Sequence, residues 1–239
     1  IINKIIYIIK IIYNKFLINK FDIKMKYLKK NLILVQARLG SKRLRNKVLR
    51  KINKKIILYH VIDKLKKLKK IELVVATTKL KIDDKIVRLV QKKKIKVFRG
   101  ENKNVLKRLL DAAIYFKYKK FIRISADSPL IDIKQIKKSI IFANKKKNFD
   151  IITNCFPRMA HHGQSVEIIN TNILKKISKL NLKKTDKEHV TKYIYENSKN
   201  FNIFNFNYDK TKMKIKNLSV DTYNDLIKIR KIFKGKKYE

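Results

Sequence analysis

The sequence predicts an α/β fold with a mixed, mainly parallel sheet. Short runs of Ile, Leu and Val alternate with longer stretches whose apolar residues recur three and four apart, the pattern of strands alternating with helices. No linker rich in Gly, Pro or Ser and no internal repeat divides the chain. A length of 239 residues fits one domain, assigned to residues 25–239.

Taken in order, LILVQA (32–37) reads as a buried strand and is followed by a loop rich in Arg and Lys. IILYHVIDKLKKL (56–68) has helical spacing, IELVVATT (71–78) reads as a strand, DDKIVRLVQKK (83–93) as a helix and IKVF (95–98) as a third strand. KNVLKRLLDAAIYF (103–116) is a strongly amphipathic helix, and KFIRIS (120–125) is a fourth strand that runs into the loop ADSPLID. A helix through SIIFANKKK and the strand DIITN come next. The remainder is less regular, with strands expected at QSVEII (164–169), NIFNFNY (202–208) and LSV (218–220), and helices at EHVTKYIYEN (188–197) and DLIKIRKIF (225–233).

Hydrophobic residues make up 45% of the chain, enough apolar surface to offset the entropy of ordering it. The net charge of +45 suits a nucleic-acid partner, because Lys and Arg release counterions condensed on phosphates. The excess is spread along the whole chain, however. It accompanies abundant Ile and Asn with only 4 Gly and 2 Pro, the residue set of AT-rich codons, so mutational bias accounts for the lysines equally well. The lone Cys155 makes neither an internal disulfide nor a thiolate metal cluster, and it fits a reducing, cytoplasmic setting.

Residues 1–24 are apolar but interrupted by lysines, without a run near the roughly 20 residues that span a bilayer. They read as upstream sequence or a dispensable extension ahead of Met25, or else as a basic amphipathic helix on a membrane surface.

In an open α/β sheet ligands bind beyond the carboxyl ends of the strands, and three polar groups of residues fall there. In QARLGSKRLRNK (36–47), Gly40 and Ser41 allow a turn whose N–H groups face an anion, and Arg38, Arg43 and Lys47 suit phosphate oxygens. It is neither a Walker loop nor a dinucleotide-binding GxGxxG. In RISADSPLI (123–131), Asp127 is placed to hold Mg²⁺ or to cap the next turn. In LSVDTYNDL (218–226), Asp221 is a second metal ligand or the cap of the following helix.

The same segments resemble a known family. LVQARLGSKRLRNKVL is similar to the opening motif of the CMP-sugar synthetases, which include the acylneuraminate and 3-deoxy-manno-octulosonate cytidylyltransferases. It most resembles the spore-coat polysaccharide biosynthesis branch, where the motif reads approximately QARMGSTRLPGKVL. VVATT, VFRGENKNVLKRLLDAA, RISADSPLID, HHGQSVEI, DKEHVTKYIY and SVDTYNDL follow in the order of that branch, so the likeness runs from Leu32 to Ile232.

The resemblance implies a three-layer, Rossmann-like nucleotide-diphospho-sugar transferase fold, often dimeric. It also implies Mg²⁺ as cofactor, and CTP and a sugar acceptor as substrates, yielding a CMP-sugar and pyrophosphate. Arg38 and Lys47 would hold the triphosphate, with backbone contacts from Gly40 and Ser41, while Asp127 and Asp221 would bind the metal. Thr77, Thr78 and Arg99 fall on the nucleotide side. Glu167, Glu188 and His189 fall on the sugar side, His189 being the natural base unless it and Glu188 merely occupy a helix turn.

Departures from the pattern are Arg45-Asn46 in place of Pro-Gly, and Asn104 and Ser165 in place of acids. Asn46 can supply the left-handed conformation of the missing Gly. The readings that compete with this enzyme are a basic nucleic-acid-binding protein and an inactive paralogue of the same fold.

Overall fold

The computed structural model describes residues 31–68, 71–206 and 217–235. The extension expected over residues 1–24 and the end of the strand expected at 202–208 lie outside them. The chain forms β1 (Leu32–Gln36), a hairpin of β2 (Lys51–Ile52) and β3 (Lys55–Ile56), α1 (Ile57–Leu65), β4 (Glu72–Thr78), α2 (Asp84–Lys92), β5 (Lys96–Gly100), α3 (Val105–Tyr115) and β6 (Lys120–Ser125). Then come α4 (Ile133–Lys145), β7 (Ile151–Thr153), β8 (Glu167–Asn170), α5 (Thr171–Ile177), α6 (Lys184–Glu188), α7 (Lys192–Glu196), β9 (Ile203–Asn205) and α8 (Tyr223–Phe233).

Seven strands make one sheet in the order β5-β4-β1-β6-β8-β7-β9. The run from β5 to β6 is parallel, β8 is antiparallel to both of its neighbours, and β9 is parallel to β7. The mixed, mainly parallel sheet expected from the sequence is therefore present. Strand alternation builds its two faces. Ile33 and Val35 of β1 pack with Val61 and Ile62 of α1, Ile86 of α2 and Ile136 of α4. Leu32 and Leu34 face the other way, onto Leu106 and Leu109 of α3 and Leu174 of α5. Helices cover both faces, which gives three layers, and each fully buried Leu or Ile contributes about 1.5–3 kcal/mol. No helix among the described residues is long and apolar enough to cross a membrane.

The structure departs from the sequence reading at several places. The basic loop after β1 contains the β2–β3 hairpin, whose turn residues Asn53 and Lys54 have φ of 45° and 64°. Helix α5 is additional. Of the helix expected at 188–197 only α7 (Lys192–Glu196) forms; α6 ends at Glu188 ahead of it, and between the two Val190 is buried and the Thr191 hydroxyl reaches Glu167 at 2.8 Å. LSV is not a strand. Leu218 donates to the His162 carbonyl at 2.8 Å, and Leu218 and Val220 pack with Leu226 and Ile229 of α8 and with Ile52 and Ile57 near the hairpin.

This docking of 217–221 depends on Gly163, which has φ +85° and lies so close that a Cβ would stand 2.4 Å from the Leu218 carbonyl carbon and 2.6 Å from the Ser219 nitrogen. Both obstacles are backbone, so a side chain there combines φ strain with overpacking. Gly163→Ala is expected to lower stability by about 3 kcal/mol, seen as a melting temperature roughly 6–12 °C lower. An unchanged melting temperature would show that the 217–221 segment yields freely.

Candidate active site

Strands β1 and β6 are neighbours with Gln36 opposite Ser125, and the chain crosses from β1 toward β4 but from β6 toward β8. The strand order thus diverges at this pair, and a crevice opens beyond its carboxyl ends. From β1 the chain enters the basic loop, in which Asn46 takes φ 54° and starts the short 3-10 turn Lys47–Leu49. Asn46 thus supplies the left-handed residue that Gly would otherwise provide.

From β6 the chain reaches Asp127, whose carbonyl accepts from Val220 N at 2.9 Å and ties the 217–221 segment alongside. These connections bring together three residues that are far apart in the chain. Lys47 Nζ lies 2.5 Å from Asp127 Oδ2 and 2.8 Å from Asp221 Oδ1, and Arg43 reaches Asp221 Oδ1 at 3.0 Å. Burial disfavours the charge on Lys47, but Asp127 and Asp221 outweigh it and hold the ammonium above the ordinary lysine range.

Neither aspartate is a helix cap. Asp132 caps α4, accepting from Lys134 N at 2.8 Å, and Thr222 caps α8 in a reciprocal pairing with Asp225. That leaves both carboxylates to meet at one point where a cation already sits. The donor set fits Mg²⁺, which takes one or two carboxylates and completes its shell with phosphate oxygens and water. No cluster of three or more His, Cys, Asp or Glu that could cage a metal occurs among the described residues.

Two hollows flank this point. The larger, about 920 Å³, is lined by Arg38, Gly40, Ser41, Arg43 and Lys47 on one side, by Leu80 and residues 101–105 on another, and by Glu188 and His189. The smaller, about 530 Å³, is lined by Cys155, Phe156, Arg158, Ser165, Lys192, Tyr195 and Asp221 among others. Arg123, Ser125, Asp127 and His189 border both.

Of the residues expected at a nucleotide site, Arg38, Gly40, Ser41, Arg43 and Lys47 lie together in the larger hollow. The Ser41 N–H, expected to face an anion, is instead turned back to the Leu39 carbonyl at 2.8 Å. Arg38 pairs with Glu188 Oε1 at 2.5 Å, linking the basic loop to the end of α6.

Thr77 and Thr78 do not reach the hollow. Both are fully buried, and their hydroxyls donate to Asp83 Oδ2 at 3.1 and 2.5 Å. Arg99 is likewise structural, donating to the carbonyls of Thr78 and Leu80 and pairing with Asp84 at 2.7 Å. Asn104 accepts from Lys107 N at 2.9 Å as the cap of α3, the role an Asp would fill.

Glu167, expected on the sugar side, lines the smaller hollow and is firmly held there. It is 3% exposed and receives Arg123, the Thr191 hydroxyl at 2.8 Å and the Tyr195 hydroxyl at 2.6 Å. Burial would raise its pKa, but the Arg123 charge and the bonds from Tyr195, Thr191 and Arg123 hold it below the ordinary glutamate range. A carboxylate so engaged anchors Arg123 at the wall of the smaller hollow. Cys155 is half-buried, with its thiol pushed up by burial and by Glu167, which suits packing and not nucleophilic attack.

Two arginines were missed by the sequence reading. Arg123 donates to Gln36 Oε1 at 2.9 Å and to Glu167. Arg108 of α3 is 1% exposed and donates to the Glu101 and Asn102 carbonyls at 2.5 and 3.4 Å. Burial, with Arg38 nearby, brings its guanidinium down to about 10. A Cβ on Gly100 would lie 2.9 Å from Arg108 Cγ, so that glycine makes room for the buried arginine stem. Gly100 followed by an amphipathic helix carrying one Arg among apolar residues was the available signal.

Known proteins bear out the family suggested by the motifs. Over 172 residues the chain is 40% identical to an uncharacterized protein of Methanocaldococcus jannaschii, covering 72% of this chain and 69% of that one. It is 30% identical over 170 residues to the spore coat polysaccharide biosynthesis protein SpsF of Bacillus subtilis, covering 68% and 69%. A solved cytidylyltransferase from Leptospira borgpetersenii superposes with a TM-score of 0.79 at 32% identity, over 84% of this chain and 85% of that one. The cytidylyltransferase family model matches residues 32–238, and the chain belongs to that family.

Proposed function

We propose that the protein transfers CMP from CTP to a sugar, forming a CMP-sugar and releasing pyrophosphate. The observation that carries this reading is the place of Asp127, bound to Lys47 beside Asp221, on the border of two hollows of unequal size. The larger takes CTP with its phosphates toward Arg38, Arg43 and Lys47, and the smaller takes the acceptor. Asp127 and Asp221 would hold Mg²⁺, which when bound neutralises charge on the phosphates.

The acceptor hydroxyl oxygen bonds to the α-phosphorus, the bond from that phosphorus to the pyrophosphate oxygen breaks, and the hydroxyl proton passes to His189. His189 borders both hollows, which places its imidazole to take that proton, while Glu167 is held by its three donors. Arg38, Arg43 and Lys47 offset the charge of the departing pyrophosphate, so positioning and charge neutralisation carry the chemistry.

On the acceptor side, Phe156 stacks on Tyr195 with centroids 4.9 Å apart, giving the hollow a flat apolar wall suited to a sugar ring. Arg158 donates to the Ser165 hydroxyl and the Ala160 carbonyl, both neutral, where related sequences place an acid at position 165. Its charge is therefore available to an anionic group on the acceptor. Arg158 thus favours an acidic sugar, and the similarity to a spore coat polysaccharide biosynthesis protein supports a surface polysaccharide as its destination.

The test is pyrophosphate release from each of CTP, UTP, ATP and GTP with Mg²⁺ and a panel of acidic and neutral sugars. Release confined to CTP and dependent on one sugar is expected. No release with any pair, together with no rise in melting temperature on adding CTP and Mg²⁺, would overturn the proposal in favour of an inactive paralogue.

A further inference from the structure

We infer that Lys47 is a tethered counter-ion that competes with the divalent cation for Asp127 and Asp221, so that the cation is admitted together with the nucleotide and not ahead of it. This rests on the proposed assignment of the two aspartates. Lys47 Nζ touches a carboxylate oxygen of each, at 2.5 and 2.8 Å, and Arg43 adds a second cationic contact to Asp221 at 3.0 Å. The Lys47 side chain is 16% exposed and lines the larger hollow, while Asp127 and Asp221 also line the smaller one; from either side a cation must take carboxylate oxygens that the ammonium already holds.

An ammonium and a divalent cation repel strongly when both are at bonding distance of the same two carboxylate oxygens, so the cation settles on that pair as the ammonium leaves it. The same hollow supplies the place for it to go. Lys47 lines the wall with Arg38 and Arg43, and its flexible four-carbon stem can swing the ammonium from the aspartates to phosphate oxygens taken up in that hollow. Nucleotide binding then frees the carboxylates as it occupies the ammonium, and each ligand strengthens the other by the same factor, as linkage requires. Lys47 on this view sets the form in which the cation is accepted.

The experiment measures Mn²⁺ binding by the electron paramagnetic resonance signal of free Mn²⁺, with and without CTP and with Mn²⁺ held by CTP alone subtracted. The proteins are the wild type, Lys47→Met, Lys47→Arg and Asp127→Asn, each checked for a wild-type melting transition, with Lys47→Gln replacing any methionine variant that lacks one. Without CTP, Lys47→Met is expected to bind Mn²⁺ about tenfold or more tightly than the wild type, since an adjacent opposite charge changes a carboxylate's affinity for a cation by at least that factor. Lys47→Arg, which keeps the charge, gives no such gain, and the strengthening of Mn²⁺ binding by CTP shrinks in Lys47→Met.

Asp127→Asn separates this inference from the reading beneath it. If Asp127→Asn weakens Mn²⁺ binding in the presence of CTP but Lys47→Met binds Mn²⁺ no more tightly than the wild type without CTP, competition by Lys47 is wrong and the metal assignment stands. If Asp127→Asn leaves Mn²⁺ binding with CTP unchanged, the metal assignment falls and the competition with it.

Discussion

With the proposed transfer from CTP and the proposed metal role, Asp127→Asn is expected to slow pyrophosphate release by about a thousandfold or more, because charge stabilisation at a metal site is worth several kcal/mol and each ~1.4 kcal/mol is a factor of ten. The substitution keeps the shape of the side chain. The Asp127 carbonyl still accepts from Val220 N, and Lys47 keeps its 2.8 Å bond to Asp221, so the fold has little reason to respond. The melting temperature should stay within roughly 3 °C of the wild type. The loss therefore belongs to the chemistry and not to folding.

Asp221→Asn should lower turnover in the same direction but less cleanly, since Asp221 also receives Arg43 and stands directly before the Thr222 cap of α8. Turnover of Asp127→Asn above a tenth of the wild-type rate would show that this carboxylate is not at the reaction centre. A matching fall in turnover and in melting temperature would instead make Asp127 a packing residue.

The parts of this site that the sequence made legible are those fixed by chain order. Gly40, Ser41 and Lys47 follow β1, and Asp127 follows β6. In a parallel sheet such residues must emerge at one end, so their meeting follows from topology alone. Asn46 was legible too, because among residues with a side chain Asn is one of the few that enter the left-handed region routinely.

What was not legible depends on pairings between distant segments. Glu167 read as an acceptor-side acid and does line the smaller hollow, but its pairing is set by the antiparallel register of β6 and β8, which places Arg123 opposite it. Nothing within either strand specifies that register. Thr77 and Thr78 end a strand pointing at the crevice, yet Asp83 turns back over them and takes both hydroxyls. The hairpin at 51–56 was hidden because its turn is Asn53-Lys54, with no glycine to announce the positive φ.

The same register makes Glu167 the site of the largest expected effect on stability. Glu167→Gln removes a buried charge from beneath Arg123, and a single amide oxygen cannot accept all the bonds that Arg123, Thr191 and Tyr195 now donate to two carboxylate oxygens. Breaking a buried pair from one side costs about 3–5 kcal/mol, since the remaining charge stays desolvated. For a chain of this size that lowers the melting temperature by roughly 6–20 °C.

The pH dependence distinguishes a lost ion pair from a lost shape. The folded pKa of Glu167 is depressed below its ordinary 4.5, so the stability it contributes is fully present above that value and disappears as the pH falls through the lower folded value. The gap in melting temperature between wild type and Glu167→Gln should therefore be constant from neutral pH down to the ordinary glutamate range and narrow below it, as protonation gives the wild type the same neutral side chain. Tyr195→Phe removes one of the donors and leaves the charge, so its smaller loss, about 1 kcal/mol, should persist at neutral pH. A gap for Glu167→Gln that stayed unchanged through the acid range would mean that packing, and not the pairing with Arg123, holds β6 and β8 in register at the rim of the site.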